Sequence, residues 1–240
     1  MEKVMYCVTG KPGVDPSALG DLLRDAVAER LTVLGAHGVQ VNVADDAVAP
    51  ADGLRIISSP TPAEAVVSIW IDTAVEQFRL PFDQAIAEEV ATWAAYLVTE
   101  SVPVANTRYP TESGERVDGF AQLAFLERPV DLPVDEWLDI WLNSHTRIAI
   151  ETQDTFLYVQ NVVTRVLTDG ATAWDAIVEE GFPAGAMTDP HVFFDAVGDD
   201  VRLAKHQQEM LDSVQRFVDF ATIEVIPTSR YVMRSVLDGT

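Results

Sequence analysis

Shifting this 240-residue chain by 117 positions lays its first half on its second. Lys11-Pro12 falls on Arg128-Pro129, and Pro16 falls on Pro133. Val4, Tyr6 and Val8 fall on Ala121, Leu123 and Phe125, while Val39 and Val41 fall on Phe156 and Tyr158. A match without gaps through strand, Pro turn, helix and second strand implies one α+β unit used twice. The copies differ at Arg24 and Ala28, which stand where the second copy has Trp141 and His145. A helix position that gains a titratable ring in one copy is a place to look for function.

Local patterns describe the unit. Residues 4–8 form an apolar run stopped by Gly10 and Pro12, a strand and turn. Pro16-Ser17 opens a helix that Gly35 and Gly38 terminate. Val39, Val41 and Val43 alternate with Gln40 and Asn42, as in a half-buried strand. A strand over 65–71, a helix over 82–98 and a short strand over 102–105 complete a βαββαβ order, the ferredoxin-like split βαβ. The polar segment 106–118 is the expected connector between units 1–105 and 119–234. The second unit is predicted as strands over 120–126, 155–163, 174–180 and 222–226, with helices over 133–150, 190–196 and 201–218. Val66-Val67 matches Ile177-Val178 at an offset of 111, and Val102 and Val104 match Ile223 and Val225 at 121.

A four-stranded sheet with helices on one face leaves its other face bare, and two such sheets can cover each other. The expected architecture is therefore α+β: two tandem ferredoxin-like units closing a dimeric α/β-barrel as a pseudo-dimer within one chain. A homo-oligomer is compatible with this but not required by it.

The net charge of −22 argues against nucleic acid and against anionic membrane surfaces, which select basic patches. The single Cys7 rules out a disulfide framework, and its apolar strand suits a small buried hydrophobe. No run approaches the ~20 apolar residues of a membrane span, and the N-terminus lacks a signal-peptide pattern. A cytoplasmic location is expected.

On a helical wheel, Trp137, Ile140, Trp141, Ser144 and Ile148 share one stripe. His145 follows Trp141 by four and sits at the stripe's edge, near the expected C-terminal end of its helix. The helix dipole would favour its protonated form and burial would oppose it. An imidazole poised near neutral pH suits general acid/base work. The plain alternative is a core histidine satisfied by a backbone carbonyl or by Thr155, beside tryptophans that are simply core. On the next strand Tyr158 and Gln160 share one face, and Val159 and Asn161 the other. Phe156 precedes Tyr158 on the same face, so Tyr158 is the expected partner of His145, and Asn161 alternatively faces the interface between units.

The segment Gly119-Phe-Ala-Gln-Leu-Ala-Phe-Leu-Glu-Arg-Pro, followed by Trp137, Trp141, His145 and Tyr158-Val-Gln-Asn161, resembles the EthD family of the dimeric α/β-barrel superfamily. Trp174-Asp175-Ala176-Ile177-Val178-Glu179 resembles that family's third strand. Thr146-Arg147 replaces the Gly-Pro that usually follows the family's His. The resemblance implies His145 and Tyr158 as catalytic residues and Trp141, Asn161 and Trp174 as substrate-binding ones, to which the helical stripe and the strand face add Trp137 and Phe156 as expected binding residues. The resemblance also implies a role in breaking down ethers and other xenobiotics.

Other chemistries lack their patterns. His37, His191 and His206 are not spaced as metal ligands, no Gly-rich phosphate loop occurs, and a haem reading of His145 has no further signature. No metal and no cofactor are expected. Ser144 and Ser213 lie on helices rather than sharp elbows; Glu179, Glu180 and Asp189 flank the third strand and could hold a proton, but at least two of them are expected to be solvated. The favoured reading is an enzyme of catabolic or secondary metabolism, acting without a cofactor on a small apolar carbonyl compound. His145 would move a proton in a cyclase-, lyase- or isomerase-like step, while Tyr158 bound the oxygen. A non-catalytic metabolite-binding or accessory protein for a degradation pathway is the alternative, followed by a purely structural subunit with a filled cleft.

Overall fold

Near-continuous burial along most of the strands means that successive side chains, which point to opposite faces, are buried on both, and a closed barrel satisfies this. The structure, a computed structural model, describes residues 1–236. Its strands are β1 (Glu2–Thr9), β2 (Gly38–Val43), β3 (Ala65–Ile71), β4 (Thr92–Val104), β5 (Phe120–Leu126), β6 (Leu157–Val166), β7 (Ala176–Phe182) and β8 (Glu224–Arg234). They close antiparallel in the order β1-β3-β2-β8-β5-β7-β6-β4, an α+β fold with no free sheet edge. Each half contributes four neighbouring strands in the same relative order, and the β2–β8 and β4–β6 seams join the halves.

The helices pack outside. In the first half α1 (Pro16–Leu22) runs through a π-helical turn, Leu23–Val27, into α2 (Ala28–Val33), and α3 (Glu76–Ala87) follows β3. In the second, α4 (Val134–Asp139) runs through a π-helical turn, Ile140–His145, into α5 (Thr146–Thr152). The short α6 (Pro190–Phe193) and α7 (Asp200–Val214) follow β7. Among the described residues no helix is long and apolar enough to cross a membrane.

The lumen is divided. Met5, Val66, Tyr96, Leu123, Phe125 and Ile177 fill one end with apolar side chains. The other end is ionic: Lys3 donates to Glu100 and, at 2.8 Å, to Asn161 Oδ1, and Arg230 Nε donates to Glu179 at 3.0 Å. Gln40 and Asn42 also donate to Glu179. Burial pushes the Glu179 carboxyl up, but Arg230, Lys3 and the two amides more than offset it, and it stays below the usual carboxylate range.

The two seams determine which residues of the halves correspond. Val41 lies opposite Tyr231 and Val43 opposite Ser229, while Gln160 lies opposite Ser101 and Val162 opposite Thr99. Carried through the other ladders, this pairs Tyr6 with Ala124, Val39 with Tyr158, Val67 with Val178 and Ala95 with Val225. The 111 offset therefore holds for β3 and β7, but the 117 offset is one position short on β1 and two short on β2. A one-residue slip exchanges sheet faces. Tyr6 and Val8 face the helices, whereas Leu123 and Phe125 face the lumen. The helical stripes shift likewise: Leu19, Leu23, Val27 and Leu31 correspond to Trp137, Trp141, His145 and Ala149, all buried. The residues opposite Trp141 and His145 are thus Leu23 and Val27, not Arg24 and Ala28. The 121 offset fails by nine positions, because a period-two pattern matches itself at many slips.

The expected helix over 82–98 is also corrected. Helix α3 spans Glu76–Ala87 with Pro81 inside it, and Thr92–Val104 is one long strand. Ala95 faces the helix side and Tyr96 and Val98 the lumen, so β4 is apolar on both faces, a run that periodicity alone cannot assign.

Candidate active site

A cavity of about 230 Å³ lies between the second-half sheet and its helices. The corresponding space in the first half holds Tyr6, Leu23 and Val27, each at most 1 % exposed. Ala124 leaves the room that Tyr6 occupies there. On the same strand faces, Gln122, Tyr158, Gln160 and Glu180 stand where the first half has Val4, Val39, Val41 and Ile69. At these positions the first half is apolar apart from the Tyr6 O–H, which donates to the buried Asp83 that Arg79 pairs, and the other half carries polar groups around a void. Ala124→Tyr should fill the void at a cost of about 1–3 kcal/mol, as overpacking does. The variant should stay folded by thermal melt and lose ligand binding; binding that survives would place the ligand elsewhere.

Volume alone does not single this cavity out: larger ones of 290 and 450 Å³ open at the two ends of the lumen, and others of 590 and 340 Å³ lie beside α3 and between α5 and α7. None of these is lined by His145 or Tyr158, and the buried carboxyls at the lumen ends are hydrogen-bonded, Glu224 by Ser59 N–H and Glu179 by Arg230, Gln40 and Asn42.

His145 closes the π-helical turn and is 7 % exposed, its ring 4.7 Å from that of Phe217. Its Nδ1 lies 3.0 Å from Ser213 Oγ on α7. The helix continues to Thr152, so no helix end raises its charge; burial, helped by Arg216, brings its pKa from 6.5 down to about 4. The imidazole is neutral at physiological pH, which corrects the expectation of a ring poised near neutrality. The π turn itself belongs to the fold, because the first half has one at Leu23–Val27.

Tyr158 on β6 and Trp141 share this cavity. Burial pushes the phenol up, and nearby Glu180 adds to that; the Trp141 and Thr146 side chains temper it. The Trp141 indole N–H makes no hydrogen bond of good geometry, and neither does Gln153 Oε1. Glu180 on β7 also lines the cavity, 8 % exposed. Burial raises its pKa from 4.5 to about 7, with Gln122 opposing the shift. No Lys or Arg lines the cavity.

The other anticipated binding residues lie apart. Trp137 is core, its Nε1 donating to Phe217 O at 2.9 Å, and it meets Trp141 at 5.3 Å between ring centres. Phe156 precedes β6 and packs on Tyr109, away from the cavity. Asn161 faces the lumen, bonded to Lys3 and to Ile177 O. Trp174 stacks near Phe125 at the apolar end of the lumen. Glu179 and Glu180 are both buried and only Asp189 is exposed, which corrects the expectation of solvation. Gln122 and Gln153 were missed, and Glu180 and Ser213 were weighed and set aside. The available signal was Glu179-Glu180 inside the run Ala-Ile-Val-Glu-Glu-Gly-Phe, where a strand must bury one carboxyl on each face.

No family model matches the chain, and no curated relative does. In fold it is similar to a solved structure described as an anthrone oxidase-like protein, at 12% identity and a TM-score of 0.56, covering 98% of this chain and 94% of that one. Putative monooxygenases from Lactobacillus acidophilus (12% identity, TM-score 0.48, 97% and 96% covered) and Fusobacterium nucleatum (10%, 0.49, 97% and 92%) superpose more loosely.

Proposed function

We propose that this chain is a small-molecule enzyme that moves a proton beside the carbonyl of a small apolar compound, using its own side chains. The observation that carries the reading is the contrast between halves: polar groups replace Val4, Val27, Val39 and Ile69 only where a void exists. Polar groups without good partners in an apolar wall are costly unless a ligand uses them. The resemblance of Trp141, His145 and Tyr158 to the EthD pattern supports the same site. The name of the anthrone oxidase-like neighbour agrees with it, since an anthrone is a ketone with an acidic methylene.

In this reading the ionised Glu180 takes a proton from the carbon next to the carbonyl. The C–H electron pair becomes the C=C of an enolate, and the charge moves to oxygen. Tyr158 O–H and the neutral His145 meet that oxygen, His145 through Nε2–H while the Ser213 hydroxyl donates to Nδ1. Return of the proton to another atom completes an isomerase-, cyclase- or lyase-like step. We also read the chain as a duplicated ferredoxin-like unit, 1–105 and 119–234 joined by 106–118; the shared strand order and the two equivalent seams support this.

The test is exchange of the α-protons of β-tetralone in D2O, followed by proton NMR. The protein should accelerate exchange. His145→Gln and Tyr158→Phe should each lower the rate on the order of 10- to 100-fold while leaving the fold intact. Binding of ketones without any acceleration would favour a carrier that holds metabolites for a partner enzyme.

A further inference from the structure

We infer that the cavity takes an uncharged hydroxy ketone with a fused-ring or similarly flat apolar body, and that Gln153 reads its hydroxyl. This rests on the proton-transfer reading for the carbonyl, but the ligand class follows from the lining itself.

Charge comes first. The lining contains Glu180 and no cation, and the nearest Arg, Arg216, is turned to the exposed Ser144 Oγ at 2.8 Å. A carboxylate or phosphate ligand would enter an apolar space beside a carboxyl group with nothing to neutralise it. Acidic metabolites and phosphorylated carriers are therefore excluded by the site, not merely repelled by a chain of net charge −22.

Hydrogen-bond demand comes second. Gln153 ends α5, where its backbone N–H bonds Ala149 O, and its side chain turns into the cavity wall at 8 % exposure. Its Oε1 is buried without a partner. A buried carbonyl oxygen in that state is completed by a ligand O–H. Across the lining, the Tyr158 O–H, with the Trp141 and Thr146 side chains beside it, is a donor that suits a ligand carbonyl. The two demands have opposite polarity, so one ligand must carry both a donor and an acceptor. Phe193, Phe194, Phe217 and Val178 supply the flat apolar walls between them.

Three probes separate these claims: β-tetralone, a hydroxy-β-tetralone and a β-tetralone carboxylic acid, with affinities measured by calorimetry. The hydroxy ketone should bind about 10-fold more tightly than the parent, and the carboxylate should not bind. Gln153→Leu should bring the first two affinities together while the parent binds as before; Gln153→Met replaces it where Leu lowers the melting temperature. Equal affinities in the natural protein, a preference that survives both substitutions, binding of the carboxylate, or no binding of any probe would each overturn the inference. Hydroxyl preference without α-proton exchange would instead overturn the proton-transfer reading and leave the ligand class standing.

Discussion

Glu180→Gln should make this protein more stable and less active at once. Above pH about 8 the expected gain is about 3 kcal/mol, read as a higher denaturant midpoint. The carboxyl ionises near 4.5 when unfolded and at about 7 when buried, so the native state holds its proton longer. Native stability therefore falls as pH rises from 4.5 through 7, and the amide, which cannot ionise, escapes that loss. Below pH about 4 the two proteins should be equally stable on this account. Exchange of β-tetralone should fall on the order of 10²- to 10⁴-fold, the worth of a positioned general base. A variant no more stable at high pH would mean that Glu180 is not held in an apolar setting. A variant with full activity would remove it from the chemistry. His145 contributes with the opposite sign: its pKa falls from 6.5 to about 4, so its stabilising share is complete above 6.5 and is lost as pH falls toward 4. Over the acid range the two groups oppose each other, and His145→Gln should steepen the rise in stability on acidification.

Arg230→Met should cost about 3–5 kcal/mol, because it leaves Glu179 charged inside the lumen. Glu179 is 2 % exposed, and Arg230 is its charge-bearing hydrogen-bond donor; Gln40 and Asn42 remain but carry no charge. Lys3 is nearby but already committed to Glu100 and Asn161. The double variant Glu179→Gln, Arg230→Met should recover most of the loss, since the penalty belongs to the stranded charge and not to the missing pair. Urea titrations of the three variants measure this. A loss below ~1 kcal/mol in the single variant would show that water reaches Glu179 through the neighbouring cavity.

Much of the fold is legible in residue patterns, and the failures have one physical origin. Short apolar stretches placed β1 and β3, period-two alternation placed β2, and Gly and Pro placed the turns around α1 and α2. What alternation does not resolve is register, because a strand apolar on both faces looks the same after a slip of one or two residues. That slip put Arg24 and Ala28 opposite Trp141 and His145, where the buried helical stripes put Leu23 and Val27. The same double-faced apolarity let the first part of β4 pass for a helix. At the site, His145, Trp141 and Tyr158 were readable because each stands out on an amphipathic element. Glu180 was not, since a carboxyl next to another carboxyl reads as surface until the strand is seen to be buried on both sides. Phe156 shares the alternation of Tyr158 but precedes the strand, and its ring turns to Tyr109 instead.

The sequence by itself determined an α+β order of strands and helices, strands with apolar faces that must be buried, and a net charge of −22. These follow from periodicity, composition and charge, which are local or additive quantities. Only the tertiary structure decided which face each side chain takes, that burial lowers the pKa of His145 and raises that of Glu180, and that a void exists beneath the second set of helices. Those depend on register and on the volume left between elements. Ala124 shows the difference: it is an ordinary small strand residue in the sequence. It becomes the floor of a cavity only because the other half puts Tyr6 at the same place.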